Sequence, residues 1–214
     1  MLSQKPDLVI SEGLEGFAFD PAQGYATVKE LEQAGAQVFS TGSSCTLQQA
    51  QTRGITAVTE DLRSLGQIFG VSNRATQLIQ RFQQQQAAIT QRVRDRQPVR
   101  TLFYNGGEGP INVLTTGVWA DTIRQAGGQS VFPPTVFQVS IEEVAVSGAE
   151  VILIGYYPGQ DPQPLIAFLQ KTFPDLPAVK TARLHPIPTI DTEAGIRILD
   201  GLAAIARALH PAAF

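Results

Sequence analysis

Apolar and polar positions along this chain fall into three rhythms. Near the start, the apolar run at 8–10 sits between Lys5-Pro6-Asp7 and Ser11-Glu12-Gly13. A short apolar run bounded by turn formers predicts a buried strand. A loop rich in Gly and Phe (13–24) follows, then a helix near 25–34, then a second strand at 37–40. Gly35 is placed to end that helix, since a left-handed residue after the last turn favours glycine. These elements make one βαβ unit, which cannot close a sheet alone.

The second rhythm is helical. From Ser72 the apolar positions Ala75, Leu78, Ile79, Phe82, Ile89 and Val93 recur at helical spacing on a face otherwise rich in Gln and Arg. Ser72 or Asn73 is the expected N-cap. Roughly 22 residues at 1.5 Å each give a strut about 33 Å long, ended by Pro98. Beyond it, strands ("TLFYN", "VILIGYY", "RLHPIP") alternate with helices ("TGVWADTIRQAGG", "SIEEVAVSGAE", "DPQPLIAFLQKTF", "DTEAGIRILDGLAAIARAL"). Ser140 should cap the second of these helices. Asp191 or Thr192 should cap the last, with His210 in its final turn. Such alternation predicts a mostly parallel sheet with helices on both faces. The expected fold is therefore α/β, with residues 1–71 a partial N-terminal lobe, 72–97 a connecting backbone helix and 98–214 a C-terminal lobe.

Composition narrows the function. The chain is 43% hydrophobic and 16% charged with a net charge of −3, which gives no electrostatic case for nucleic acid or an anionic membrane surface. No apolar run approaches the length of a membrane span, and the first residues lack the pattern of a signal peptide. The lone Cys45 allows no intrachain disulfide; with no apolar leader before it, it does not read as a lipid anchor.

Catalytic and metal signatures are weak. His185 and His210 are the only histidines and have no ligand-like partners in spacing. "STGSSC" carries no base signature, and "NGGEGP" misses the dinucleotide fingerprint. Neither an enzyme nor a cofactor is expected; a small α/β enzyme holding a phosphate-bearing cofactor on loop 106–109 is the alternative. Binding residues are better represented. The loops after the strands carry Glu12, Phe17, Thr41, Tyr104, Asn105, Glu108, Tyr156 and Tyr157, where ligands of open α/β sheets bind.

The stretches "KPDLVI", "LEQAGAQVF", "TTGVWADTIRQAGGQSVF", "VSIEEVAVSGAEVILI", "LPAVKTARLHPIP" and "ARALHPAAF" together make the chain resemble the substrate-binding proteins of ABC importers for ferric siderophores, haem and vitamin B12. The resemblance implies two Rossmann-like lobes joined by one long helix, the N-terminal lobe incomplete because a strand-helix stretch and a signal peptide normally precede "KPDLVI". It implies capture of a metal chelate (siderophore or corrinoid) between the lobes. The full-length form would then be periplasmic, or extracellular and membrane-anchored. By position it adds Val136, Phe137 and Thr189 to the ligand loops, and assigns Glu142 to docking on the membrane permease. The B12 binder's tryptophan and aspartate are absent from the matching places, and no arginine cluster favours a catecholate. Glu12 and Glu108 hint at a neutral or cationic chelate. With a neighbour lost from strand 8–10, self-association of this span is expected.

Overall fold

The structure, a computed structural model, describes residues 2–14, 19–41 and 47–214. The N-terminal part pairs β1 (Leu8–Glu12) in parallel with β2 (Gln37–Thr41) across α1 (Val28–Gln33). Thr27 caps α1: its hydroxyl accepts from the Glu30 amide, and the Glu30 carboxylate accepts from the Thr27 amide. Phe19, Leu31 and Ala36 are buried beneath this pair with Val9 and Val38 packed on them. The two strands form a sheet of their own, and Ile10 is 48% exposed.

Helices α2 (Leu47–Thr52), α3 (Thr56–Ile68) and α4 (Ser72–Val93) follow. α4 starts at Ser72, as expected of the strut, and ends at Val93, short of the expected residue 97; its cap also differs. Val71 occupies the cap position without a side-chain bond, while the Ser72 hydroxyl turns back to the Gly66 carbonyl at 3.4 Å. The turn between α3 and α4 is tied instead by backbone bonds, Val71 N to Gly66 O at 2.7 Å among them. Val58 of α3 and Phe82 and Val93 of α4 join the core of the following sheet. Packing thus places α3, which the sequence grouped with the N-terminal part, on the C-terminal one.

That sheet holds β3 (Val99–Tyr104), β5 (Gly128–Ser130), β7 (Val151–Tyr156) and β8 (Leu184–Pro188), all parallel, in the order β5-β3-β7-β8. β7 and the second half of β3 are apolar runs because both their faces are covered. Phe103 and Leu153 face one core with α3, α4, α5 (Gly117–Gln125) and α9 (Ile198–Leu209). Leu102, Tyr104, Ile152 and Ile154 face the other, with α6 (Ile141–Ala145), α7 (Gln163–Thr172) and α8 (Pro177–Lys180). A short antiparallel ribbon, β4 (Ile111–Asn112) with β6 (Gln138–Val139), closes that second side.

The closing helix starts later than its capping signals suggested. Residues Thr189–Asp191 form a 3-10 turn, the Thr192 hydroxyl donates to the Thr189 carbonyl at 2.9 Å, and Asp191 accepts from Arg197 Nε at 2.7 Å. Side chains that bond locally compete with the helix, so α9 begins only at Ile198. No helix among the described residues is long and apolar enough to cross a membrane.

Candidate functional site

The strand order fixes where a ligand can enter. From β3 the chain moves outward through α5 to β5, then crosses back through α6 to β7 on the other side of β3. Connections leaving β3 and β7 therefore diverge, and the crevice beyond their carboxyl ends is a topological switch point. Asn105 follows β3 and Tyr157 follows β7. Asn105 Nδ2 donates to the Tyr157 hydroxyl at 3.4 Å, and the Tyr157 side chain is 53% exposed. Among the described residues, Asn105 Oδ1 is the buried side-chain oxygen without a hydrogen-bond partner. Gly155 permits this approach, since a Cβ there would lie 2.7 Å from Asn105 Oδ1.

Two expected ligand residues turn inward. Tyr104 is fully buried, and its hydroxyl donates to the Gly107 carbonyl at 3.0 Å. Burial, helped by the charge of Glu108, pushes its phenol up to about 12, so it stays protonated in the core. Thr189 is buried as well and spends its hydroxyl on the Tyr156 carbonyl at 3.1 Å. Both are corrections, for different reasons. Tyr104, the last paired residue of β3, alternates into a covered face, whereas Thr189, in the turn just past β8, is held inward by its bond to the Tyr156 carbonyl. Of the others, Glu12, Glu108 and Phe137 are exposed, Tyr156 is half-buried, and the Thr41 hydroxyl donates to the Ser11 carbonyl at 3.4 Å. Phe17 and Cys45 lie outside the described residues.

A residue that sequence reasoning passed over completes the rim. Glu193, in the loop before α9, has its carboxyl raised above the usual range, first by burial and then by the charge of Glu12. This brings the end of β1 opposite the loop after β8. Ile190 and Ile196 stand exposed in the same loop.

Loop 106–109 does not suit a phosphate. It leads into β4 rather than a helix N-terminus, and two of its carbonyls are engaged, Gly106 by the Asn112 amide at 2.9 Å and Gly107 by Tyr104. Anion sites need converging N–H groups. Among the described residues no group of three or more His, Cys, Asp and Glu gathers as a metal site.

On α6 the two glutamates divide. Ser140 caps the helix, accepting from the Glu143 amide at 3.1 Å, while Glu143 Oε2 accepts from the Ser140 amide at 2.7 Å. Glu142 is exposed and lines a hollow of about 400 Å³ with Gly109, Pro110, Gln138 and Ile141.

Comparison with known proteins agrees with this architecture. A periplasmic binding protein from Veillonella parvula DSM 2008 superposes with a TM-score of 0.84 at 20% identity, over 98% of this chain and 72% of that one. An ABC-type Fe3+-hydroxamate transport system structure from Saccharomonospora viridis DSM 43017 gives 0.76 at 22% identity, over 97% and 70%. A periplasmic heme-binding protein from Pseudomonas aeruginosa gives 0.74 at 23% identity, over 98% and 74%. No curated protein matches by sequence. The sequence itself matches a family described as periplasmic binding protein over residues 1–188, and the chain belongs to that family: it is a binding protein and not an enzyme.

Proposed function

We propose that this chain is the substrate-capturing component of an ABC importer, taking up a metal chelate (a ferric siderophore, haem or a corrinoid) between its two α/β parts. The observation that carries the reading is the pair Asn105–Tyr157 at the switch point of β3 and β7. It sets an unpaired amide oxygen beside an exposed phenol, the mixture of polar handle and aromatic surface that small-molecule sites use. In this reading Glu12, Thr41, Glu108, Phe137, Tyr156 and Glu193, in or beside the loops of the cleft, supply the remaining contacts. Such a protein works in the periplasm or on the outer face of the membrane. Its partner there is the importer's permease, which Glu142 meets through a rim ion pair with a permease arginine. Rim charges of this kind steer association more than they supply affinity.

Titration calorimetry with ferric trihydroxamates, ferric catecholates, haemin, a corrinoid and nucleotides tests the reading. Saturable binding of at least one chelate or macrocycle, weakened by Tyr157→Ala, is the expected result. Saturable nucleotide binding with no chelate binding overturns it.

A further inference from the structure

The loops beyond the carboxyl ends of β1, β2, β3, β7 and β8 are charged almost wholly in one sense. Glu12 closes β1, Glu108 follows β3, Asp161 follows β7, and Asp191 and Glu193 follow β8. The one basic residue in these loops is Arg197. Its guanidinium is held by Asp191, with Nε donating to the carboxylate at 2.7 Å, so no free cation remains in them to meet an anionic ligand. The Glu193 carboxyl is raised by burial and then by the charge of Glu12, so the acid that closes β1 acts on the loop that follows β8. Beside them Tyr157, Ile190 and Ile196 leave apolar surface exposed, Ile196 to 67%.

Like charges held together without a counter-ion are costly, and a bound cation relieves them. The exposed apolar side chains suit hydrocarbon spacers. We propose that the cleft selects ferric chelates of neutral or positive net charge, as in hexadentate trihydroxamates with aliphatic linkers, and discriminates against polyanionic ones such as tris-catecholates. The selection is electrostatic: each carboxylate about 8 Å from a unit charge in a wet cleft changes affinity on the order of threefold. Several acting on a trianion multiply to well over tenfold.

This rests on the reading of the cleft as a chelate site, and the test separates the two. Calorimetry on the 214-residue chain uses three ferric probes: a trihydroxamate of charge +1, a neutral trihydroxamate and a tris-catecholate of charge −3. The expected order of affinity is cation, neutral, trianion, with at least tenfold between first and last. Glu193→Gln and Glu12→Gln should each shift the cation-to-trianion preference about threefold toward the trianion, and added salt should compress the series. A trianion that binds as tightly as the cation, or a preference unmoved by both substitutions, overturns the charge selection while leaving a chelate site. Absence of binding by all three overturns the chelate reading as well.

Discussion

Removal of one carboxylate should loosen three helices at once. Asp121, on α5, is largely buried, and its Oδ2 accepts from the Ile55 amide at 2.8 Å and from Gln125 Nε2 at 2.8 Å. Gln125 Oε1 in turn accepts from Gln86 Nε2 on α4 at 2.7 Å. Ile55 stands at the start of α3, where no side chain of its own supplies a cap. Asp121 therefore caps α3 from 66 positions away in sequence, and Gly54 leaves the room for it, since a Cβ there would sit 2.2 Å from Oδ2. A hydrogen bond to a charged group contributes about 1.5–3 kcal/mol, and a carboxylate at a helix N-terminus about 0.3–1 kcal/mol more. The Arg124 pair adds little because the guanidinium is exposed. Asp121→Ala should thus cost about 2–4 kcal/mol in urea unfolding. Asp121→Asn keeps an acceptor without the charge and should lose about half of that. Hydrogen exchange at the Ile55 amide should accelerate in the same order. If Asp121→Ala unfolds within about 0.5 kcal/mol of the parent, or Ile55 exchange is unchanged, the remote cap contributes nothing and the reasoning fails.

Other consequences follow from the same contacts. Glu143→Ala should lower stability by about 1 kcal/mol through loss of the capping box yet leave permease docking intact, whereas Glu142→Ala should weaken docking in a reconstituted transport assay with no change in melting; the reverse pattern would exchange the two roles. Tyr104→Phe should cost about 1 kcal/mol without altering chelate affinity, and an affinity loss would return Tyr104 to the cleft. Glu193 has a raised folded-state carboxyl, so its contribution is fully present below its unfolded value and lost as pH rises through the folded one. Facing it are Glu12, with Asp191 and Arg197 in its own loop. Glu193→Gln should accordingly raise the melting temperature at neutral pH and have no effect in acid, and an equal effect at both would refute the repulsion. Finally, Ile10, exposed on a two-stranded sheet, should promote self-association that Ile10→Lys suppresses; light scattering showing a monomer for both would remove that edge as a liability.

What could be read from sequence depended on whether each signal was local. β7 was plain because burial on both faces leaves an almost uninterrupted apolar run, β3 because its second half, Leu102-Phe103-Tyr104, does the same, and α4 because its stripe persists over 22 residues. β4 and β6, two residues each, are too short for any period to register. α3 was missed for a different reason. Its apolar positions Val58, Leu62 and Leu65 do fall at helical spacing, but its start carries no local capping signal, because its cap is Asp121 of another helix. In the site, Asn105 and Tyr157 were legible as polar and aromatic residues just past a strand. Tyr104 was misplaced although alternation with Leu102 pointed it into the core. Glu193 sits in no pattern at all, and only the fold brings it opposite Glu12.

These placements share a rule about which residues are free to act. Tyr104, the last paired residue of β3, points into a covered face and is taken up by packing and by a backbone acceptor. One residue on, Asn105 after β3 and Tyr157 after β7 have left the ladder, and their side chains meet between the two loops. A capped helix makes the same division over a shorter distance. In α6 the capping box needs the third residue of the helix, Glu143, and places no demand on the second, Glu142. A glutamate at that second position is aligned by the helix, favoured by its dipole, and uncommitted to folding. The proposed docking contact can therefore change without loss of the fold, and Glu143 can hold the helix without touching a partner. Ligand capture and permease docking are then separable by single substitutions, because each uses a residue one step away from the one that holds the structure.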